Sequence, residues 1–347
     1  MATYHEQKKA QDIQRLREIL AELPPFLGLY FSSMSDQTSS LTRVGYAYDL
    51  RIFFNYLCEE ILDNRPLREI VVEDLKAVES EHLQGFMEYL TYYFPAGENE
   101  DALQNAALGK SRKLAAVRGL FRYLYMQKKL PANPAELVSF PKINNKVITT
   151  LETDEIAKLL DEVDGGEKLT PRQKVFHERT KLRDAAIITL LLGTGMRVSE
   201  CVGIDLHHID FEIGGIKVTR KGGDEMVLYF GEEVATALEK YLALREEIIT
   251  LDGHENALFL SLQNRRITDR AIQNMVKKYA QLVTRLKNIS PHKLRSTFGT
   301  QLYAETGDIY LVANVLGHAD VNTTRKHYAK MDENYRRRAA NAVRLRE

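Results

Sequence analysis

Residues 130–150, LPANPAELVSFPKINNKVITT, hold three prolines and three asparagines. Proline has no amide donor and pushes the residue before it out of the helical region, so no helix runs through this stretch. The stretch divides a chain of 347 residues, more than one hydrophobic core usually serves. The chain therefore reads as two domains joined by an extended linker.

Before the linker the apolar residues recur at helical spacing. Ile13, Leu16, Ile19 and Leu20 mark a helix over residues 10–22, stopped by Pro24-Pro25. Ser39 or Ser40 caps a second helix whose stripe is Ile52, Phe53, Tyr56 and Leu57. Residues 82–93 repeat the pattern with Leu83, Phe86, Met87 and Leu90. KSRKLAAVRGLFRYLYMQ places Leu114, Val117, Phe121 and Leu124 on one face, with Arg118 and Arg122 on another. Four amphipathic helices and no strand predict an all-helical first domain whose last helix is basic.

After the linker, Thr153 is the expected N-cap of a new helix, with Asp154 and Glu155 in its first turn, where carboxylates suit the helix dipole. The second domain is mostly helical. Its exception is IDFEIGGIKVTRKGGDEMVLYF, where two glycine pairs separate short strand-like runs and predict a three-stranded antiparallel meander. Lys221 falls in the second turn. The fold class is thus mainly α, an all-helical domain followed by a mixed α/β domain with one small sheet.

Lys and Arg number 48, as do Asp and Glu, which excludes a uniformly basic coat. The charge is segregated nonetheless. Residues 1–109 are acidic, whereas residues 110–146 carry nine basic side chains against Glu136 alone. A second basic stretch, 264–298, opposes nine to Asp269. Such patches suit a local polyanion site. The candidate nucleic-acid contacts in them are Lys110, Arg112, Lys113, Arg118, Arg122, Arg265, Arg266 and Arg270. No run of eighteen apolar residues suggests a membrane span, and the N-terminus has no signal-peptide pattern. Two cysteines, Cys58 and Cys201, make neither a disulfide framework nor a zinc spacing, and a reducing cytoplasm is the expected location.

Four short strings hold candidate chemistry: GTGMRVSE (193–200), VTRKGGDE (218–225), HKLR (292–295) and LGHADVNTTRKHY (316–328). Singly, each has an ordinary structural role. Arg197 can pair with Glu200, Lys221 can be a solvated hairpin lysine, His318 can end a helix and Tyr328 can pack. Together they suggest more. Arg197 lies where the apolar helix AAIITLLL meets a Gly-Thr-Gly break, and Arg295 stands one helical turn after His292. Two guanidinium forks from separate segments can clamp the oxygens of one phosphate in a geometry lysine cannot reproduce. No HExxH, P-loop or Asp-x-Asp cluster accompanies them, so no metal or cofactor is expected. Phosphoryl transfer would then need a protein nucleophile, and Tyr328 is the candidate.

In this order the strings resemble the Arg–Lys–His-x-x-Arg–His–Tyr constellation of the tyrosine recombinase (phage integrase) family. RKLAAVRGLFRYL…NPAELV likewise resembles that family's core-binding domain, and VTRKGG and ISPHKLR look closest to single-recombinase Xer proteins of the XerS-like branch. The resemblance implies a helical leader (1–34), a core-binding domain (35–140), a linker (141–150), a catalytic domain (151–331) and a C-terminal tail helix (332–347). It further implies that Arg197, His292 and Arg295 bind the scissile phosphate. Glu200 would orient them, Lys221 would protonate the leaving 5′-hydroxyl and His318 would assist. Tyr328 would form a 3′-phosphotyrosyl link.

Two positions depart from the common pattern: Tyr328 stands ten positions after His318, where many members have nine, and Ser296 stands where many have a histidine. The implied partners are duplex DNA with an inverted-repeat site, a homotetramer on synapsed DNA, and a translocase or directionality factor. The implied tasks are dimer resolution or integration and excision of a mobile element. The alternatives are a non-catalytic DNA-binding regulator and a type IB topoisomerase-like relaxing enzyme.

Overall fold

The computed structural model describes residues 3–93, 104–143, 149–220, 222–317 and 321. The chain divides into two compact units, Met1–Asn145 and Lys146–Glu347.

In the first unit, α1 (Tyr4–Glu22) starts six residues earlier than its apolar period predicts. The reason is a capping box: Glu6 N–H donates to Thr3 Oγ1 at 3.3 Å, and the Glu6 carboxylate accepts from Thr3 N–H at 2.8 Å. Next come α2 (Leu27–Ser33), α3 (Ser40–Glu60), α4 (Ser80–Tyr89) and α5 (Ala107–Met126). Ser39 is the cap of α3, accepting from Thr42 N–H at 3.3 Å. No apolar period announces α2 in the sequence, since seven residues are too few to display one. Among the described residues of this unit there is no strand.

One core gathers all five helices. Phe53 meets Phe86 edge-on at 5.1 Å between centroids and Phe121 at 6.1 Å, geometries worth about 0.5–1.5 kcal/mol each beyond area burial. The leader belongs to the same core: Phe26 packs edge-on to Phe54 at 6.0 Å, and Tyr30 lies 5.4 Å from Tyr123. The proline-rich stretch is not extended throughout. Its first residues are packed rather than extended, with a 3₁₀ turn at Pro134–Leu137 and Leu130, Ala135 and Val138 buried in this core.

The second unit begins with α6 (Thr153–Gly165). Its cap is Glu152 rather than Thr153, and the Glu155 carboxylate accepts from Glu152 N–H at 2.8 Å. Then follow α7 (Pro171–Thr194) and α8 (Val198–Val202). The meander is present as β1 (Ile209–Asp210), β2 (Gly215–Thr219) and β3 (Glu225–Tyr229), antiparallel in chain order, with Ile216 opposite Leu228. The chain continues through α9 (Glu232–Glu246), α10 (Asp269–Val283), α11 (Pro291–Thr306) and α12 (Ile309–Leu316).

A buried polar chain joins α7 to α10. Tyr279 Oη donates to Asp184 Oδ2 at 3.1 Å and lies 3.0 Å from His177 Nδ1. The entry to the unit is pinned to α11, where Leu151 N–H donates to Thr297 Oγ1 at 3.0 Å. Among the described residues no helix is long and apolar enough to cross a membrane.

Candidate active site

Apolar burial positions the first arginine. Ile187, Ile188, Leu190 and Leu191 fix the end of α7 in the core, and Gly195 terminates it with φ +63°. A side chain there would also collide with Phe298 of α11. The chain then turns, and Arg197 becomes the residue that opens α8. Its N–H and its Nη1 both donate to the Glu200 carboxylate, at 2.8 and 2.7 Å. Glu200 is buried, so this pairing aims the guanidinium in low dielectric.

The second arginine comes from α11. Arg295 is buried at 4% exposure, and its Nη1 donates to Gly195 O at 2.7 Å. Its Nη2 donates to Leu316 O, the last residue of α12. Arg197 Nη2 donates to the next carbonyl, Gly317 O, at 3.2 Å. A third guanidinium, that of Arg220 directly after β2, donates from Nη2 to Val315 O at 3.0 Å. Three cations from three segments thus converge on three consecutive carbonyls at the C-terminus of α12.

That convergence has an electrostatic cause. The last carbonyls of a helix lack internal partners and carry the negative end of its dipole, which favours cations there. Glu200 supplies the countercharge. Burial holds Arg220 below the usual arginine range, with Glu200 opposing that effect and Arg197 adding to it.

His292 lies exposed in the first turn of α11, one turn before Arg295. Lys221, His318 and Tyr328 lie outside the described residues, as does the tail at 332–347. In the chain Lys221 directly follows Arg220 and His318 directly follows Gly317.

The basic residues divide differently from expectation. Lys113 is buried, donating to Asn105 Oδ1 at 2.8 Å and lying 3.9 Å from Asp49. Arg266 forms an ion pair with Asp205 and donates to Val202 O and Ile204 O, both at 2.9 Å. These two are structural cations, not free surface contacts. Arg112 pairs with Asp49 at 2.6 Å and keeps about half its side chain in solvent. Lys110 donates to Thr91 Oγ1 at 2.5 Å, and Arg118 lies over the Phe140 ring and donates to Glu136 O. Arg122, Arg265 and Arg270 are exposed.

Asp205, His207 and His208 bring donor atoms within 4.8 Å of one another. Two of those donors are already engaged, the Asp205 carboxylate by Arg266 and His208 Nδ1 by Asp205 N–H at 3.1 Å.

Residues 149–334 match the phage integrase family, a span that includes every arginine of the convergence. The chain belongs to this family. It is 36% identical to the tyrosine recombinase XerC of Thermodesulfovibrio yellowstonii over 62% of this chain and 69% of that one. Against XerC of Caldanaerobacter subterraneus subsp. tengcongensis the identity is 32% over 90% of this chain and 84% of the relative. A solved structure of the XerH site-specific recombinase bound to palindromic difH substrate shares the fold, with TM-score 0.64 and 23% identity. It covers 87% of this chain and 80% of that one. This member of the family is a Xer-like tyrosine recombinase, an enzyme of site-specific DNA cleavage and religation.

Proposed function

We propose that the chain cuts and rejoins duplex DNA at an inverted-repeat site through Tyr328, with Arg197, His292 and Arg295 holding the scissile phosphate. The convergence of Arg197 and Arg295 at one helix end, from segments a hundred residues apart, carries this reading. Phosphate oxygens compete for donors that carbonyl oxygens otherwise occupy, and a charged acceptor is the stronger one. Glu200 keeps the Arg197 fork oriented while the acceptor changes.

Tyr328 attacks phosphorus and the bond to the 5′-oxygen breaks. Lys221 gives that oxygen its proton, leaving a 3′-phosphotyrosyl link. The 5′-hydroxyl of a partner duplex reverses the step, so bond energy is conserved. At neutral pH a tyrosine of ordinary pKa, about 10, is ionised to about one part in a thousand, a deficit of about 4 kcal/mol. Positioning together with two guanidiniums on a developing dianion is of the size needed to offset it. His318 assists at the phosphate or the phenol. No metal or cofactor enters the scheme.

The first unit serves as the core-binding domain and the second as the catalytic domain. Similarity to XerC over nine-tenths of the chain supports a Xer-type task in the cytoplasm, resolution of DNA dimers by a homotetramer on two synapsed sites. A translocase or directionality factor would then control the outcome.

A duplex nicked beside its cleavage site, which traps the covalent species, tests the scheme. Wild type should yield a denaturant-resistant adduct and exchange strands between two duplexes. Tyr328→Phe should bind equally well and yield none. No wild-type adduct means a regulator on a recombinase scaffold. Relaxation without exchange means a topoisomerase. An adduct that survives Tyr328→Phe moves the nucleophile to another residue, Tyr335 first.

A further inference from the structure

Arg220 has no part in the scheme above, yet it is held from two directions. Its main chain closes the turn after β2: Arg220 N–H donates to Asp224 O at 2.7 Å, and Gly223 N–H donates to Arg220 O at 3.0 Å. Its side chain leaves the hairpin altogether and reaches Val315 O on α12. The guanidinium lies so close to Gly317 that a Cβ at that residue would overlap Nη1 and Cζ. Gly317 also has φ +61°, the left-handed conformation that ends α12.

The hairpin does not need this side chain. Five paired positions between β2 and β3, together with the turn bonds, already close it. The placement is costly, because the guanidinium is partly desolvated beside Arg197, and its Nε is enclosed without a hydrogen-bond partner. A cation kept under those conditions points to a requirement of the reaction rather than of the fold.

We propose that Arg220 is a positioning residue for strand cleavage, tying the turn in which Lys221 falls to the helix end that precedes His318. The inference rests on the assignment of Lys221 as proton donor. It adds that this proton donor depends on an anchor outside its own hairpin. When Arg220 is lost, proton delivery fails first, while DNA binding and the phosphate clamp persist.

The test uses the full chain and two nicked duplexes that differ in one atom. One has the ordinary phosphodiester at the cleavage position and the other a 5′-bridging sulfur. Cleavage of the second breaks a phosphorus–sulfur bond and releases a thiolate, which needs no proton. On the phosphodiester, Arg220→Ala should form the covalent adduct about a hundredfold more slowly than wild type, the scale of a general-acid contribution. On the sulfur substrate it should return to near the wild-type rate, as should Lys221→Ala. Recovery by Lys221→Ala but not by Arg220→Ala overturns the inference and leaves the lysine's role standing. Failure of Lys221→Ala to recover removes that role and the inference with it.

A second variant reaches the same contact from the other side. Gly317→Ala displaces the guanidinium and, because Gly317 O also accepts from Arg197, should slow cleavage of the phosphodiester at least as much as Arg220→Ala does. Gly253→Ala, with φ +82° and open space around it, imposes a comparable backbone strain elsewhere and should cleave both substrates normally. Wild-type cleavage of the phosphodiester by Gly317→Ala overturns the inference.

Discussion

Arg295 Nη1 donates to the carbonyl oxygen of Gly195 at 2.7 Å, across a hundred residues of chain. The bond sets the guanidinium against the break that ends α7, two residues before Arg197, while its other terminal nitrogen reaches α12. A planar fork can satisfy both acceptors at once, whereas an ammonium has no second arm at that separation. Arg295→Lys and Arg197→Lys should therefore each slow covalent adduct formation by about a hundred- to a thousandfold despite retaining charge. Single-turnover cleavage of the nicked duplex measures this. Near-wild-type rates in both variants would rule out the clamp.

Two neighbouring arginines should behave oppositely. Arg266 is enclosed against Asp205 and two carbonyls, and its loss leaves a carboxylate with little solvent. Arg266→Ala should lower stability by about 3 kcal/mol. Arg265 is exposed, and Arg265→Ala should leave the melting temperature unchanged. If Arg265 contacts a DNA phosphate, its loss should reduce the slope of log affinity against log salt by about one. Denaturant titration and binding at three salt concentrations separate the two effects.

Asp49 introduces a pH dependence into the first unit. Burial raises its carboxyl to about 6, with Arg112 and Lys113 only partly opposing that cause. Between the ordinary carboxylate range and pH 6 the unfolded chain has released this proton while the folded chain still holds it. Stability from this group is therefore greatest at low pH and declines as pH rises through that window. Asp49→Asn should flatten that segment of the stability–pH curve, measured by urea midpoints from pH 4 to 7. An unchanged slope would show that Asp49 is ionised throughout.

The tail, DENYRRRAANAVRLRE, would carry Tyr335, Ala339, Ala342 and Val343 on one helical side. So narrow a stripe would be marginal alone in water, and we expect it to dock on a neighbouring protomer of the proposed tetramer, a contact that would close into a ring. Deleting residues 334–347 should preserve half-site binding and abolish cooperative full-site binding and recombination. Full recombination by the truncated chain would make the tail dispensable.

Much of this architecture is legible from spacing alone, and the exceptions have physical reasons. Ile272, Met275, Val276, Tyr279 and Ala280 recur every three or four residues, and all are buried on α10. Lys113 could have been found the same way. It stands four residues before Val117 and seven before Leu120, on the buried side of α5. Arg266 carried no such signal, because its partner Asp205 is 61 residues away. The meeting of Arg197, Arg220 and Arg295 at α12 was equally invisible. Its acceptors are backbone carbonyls, which every residue possesses, so no pattern of side chains announces them. For that reason nothing in the sequence distinguishes Arg220 from an ordinary neighbour of Lys221.

The aromatic contacts of α2 with the rest of the first unit set a lower limit on what can fold. A chain cut at residue 35 would lose the contacts of Phe26 with Phe54 and of Tyr30 with Tyr123, as well as Leu16, Ile19, Leu23 and Leu27 from the same core. The remaining helices would present that vacated surface to water, where it invites aggregation and proteolysis. A fragment of the helical unit meant for binding studies should therefore start no later than Thr3, whose hydroxyl begins α1.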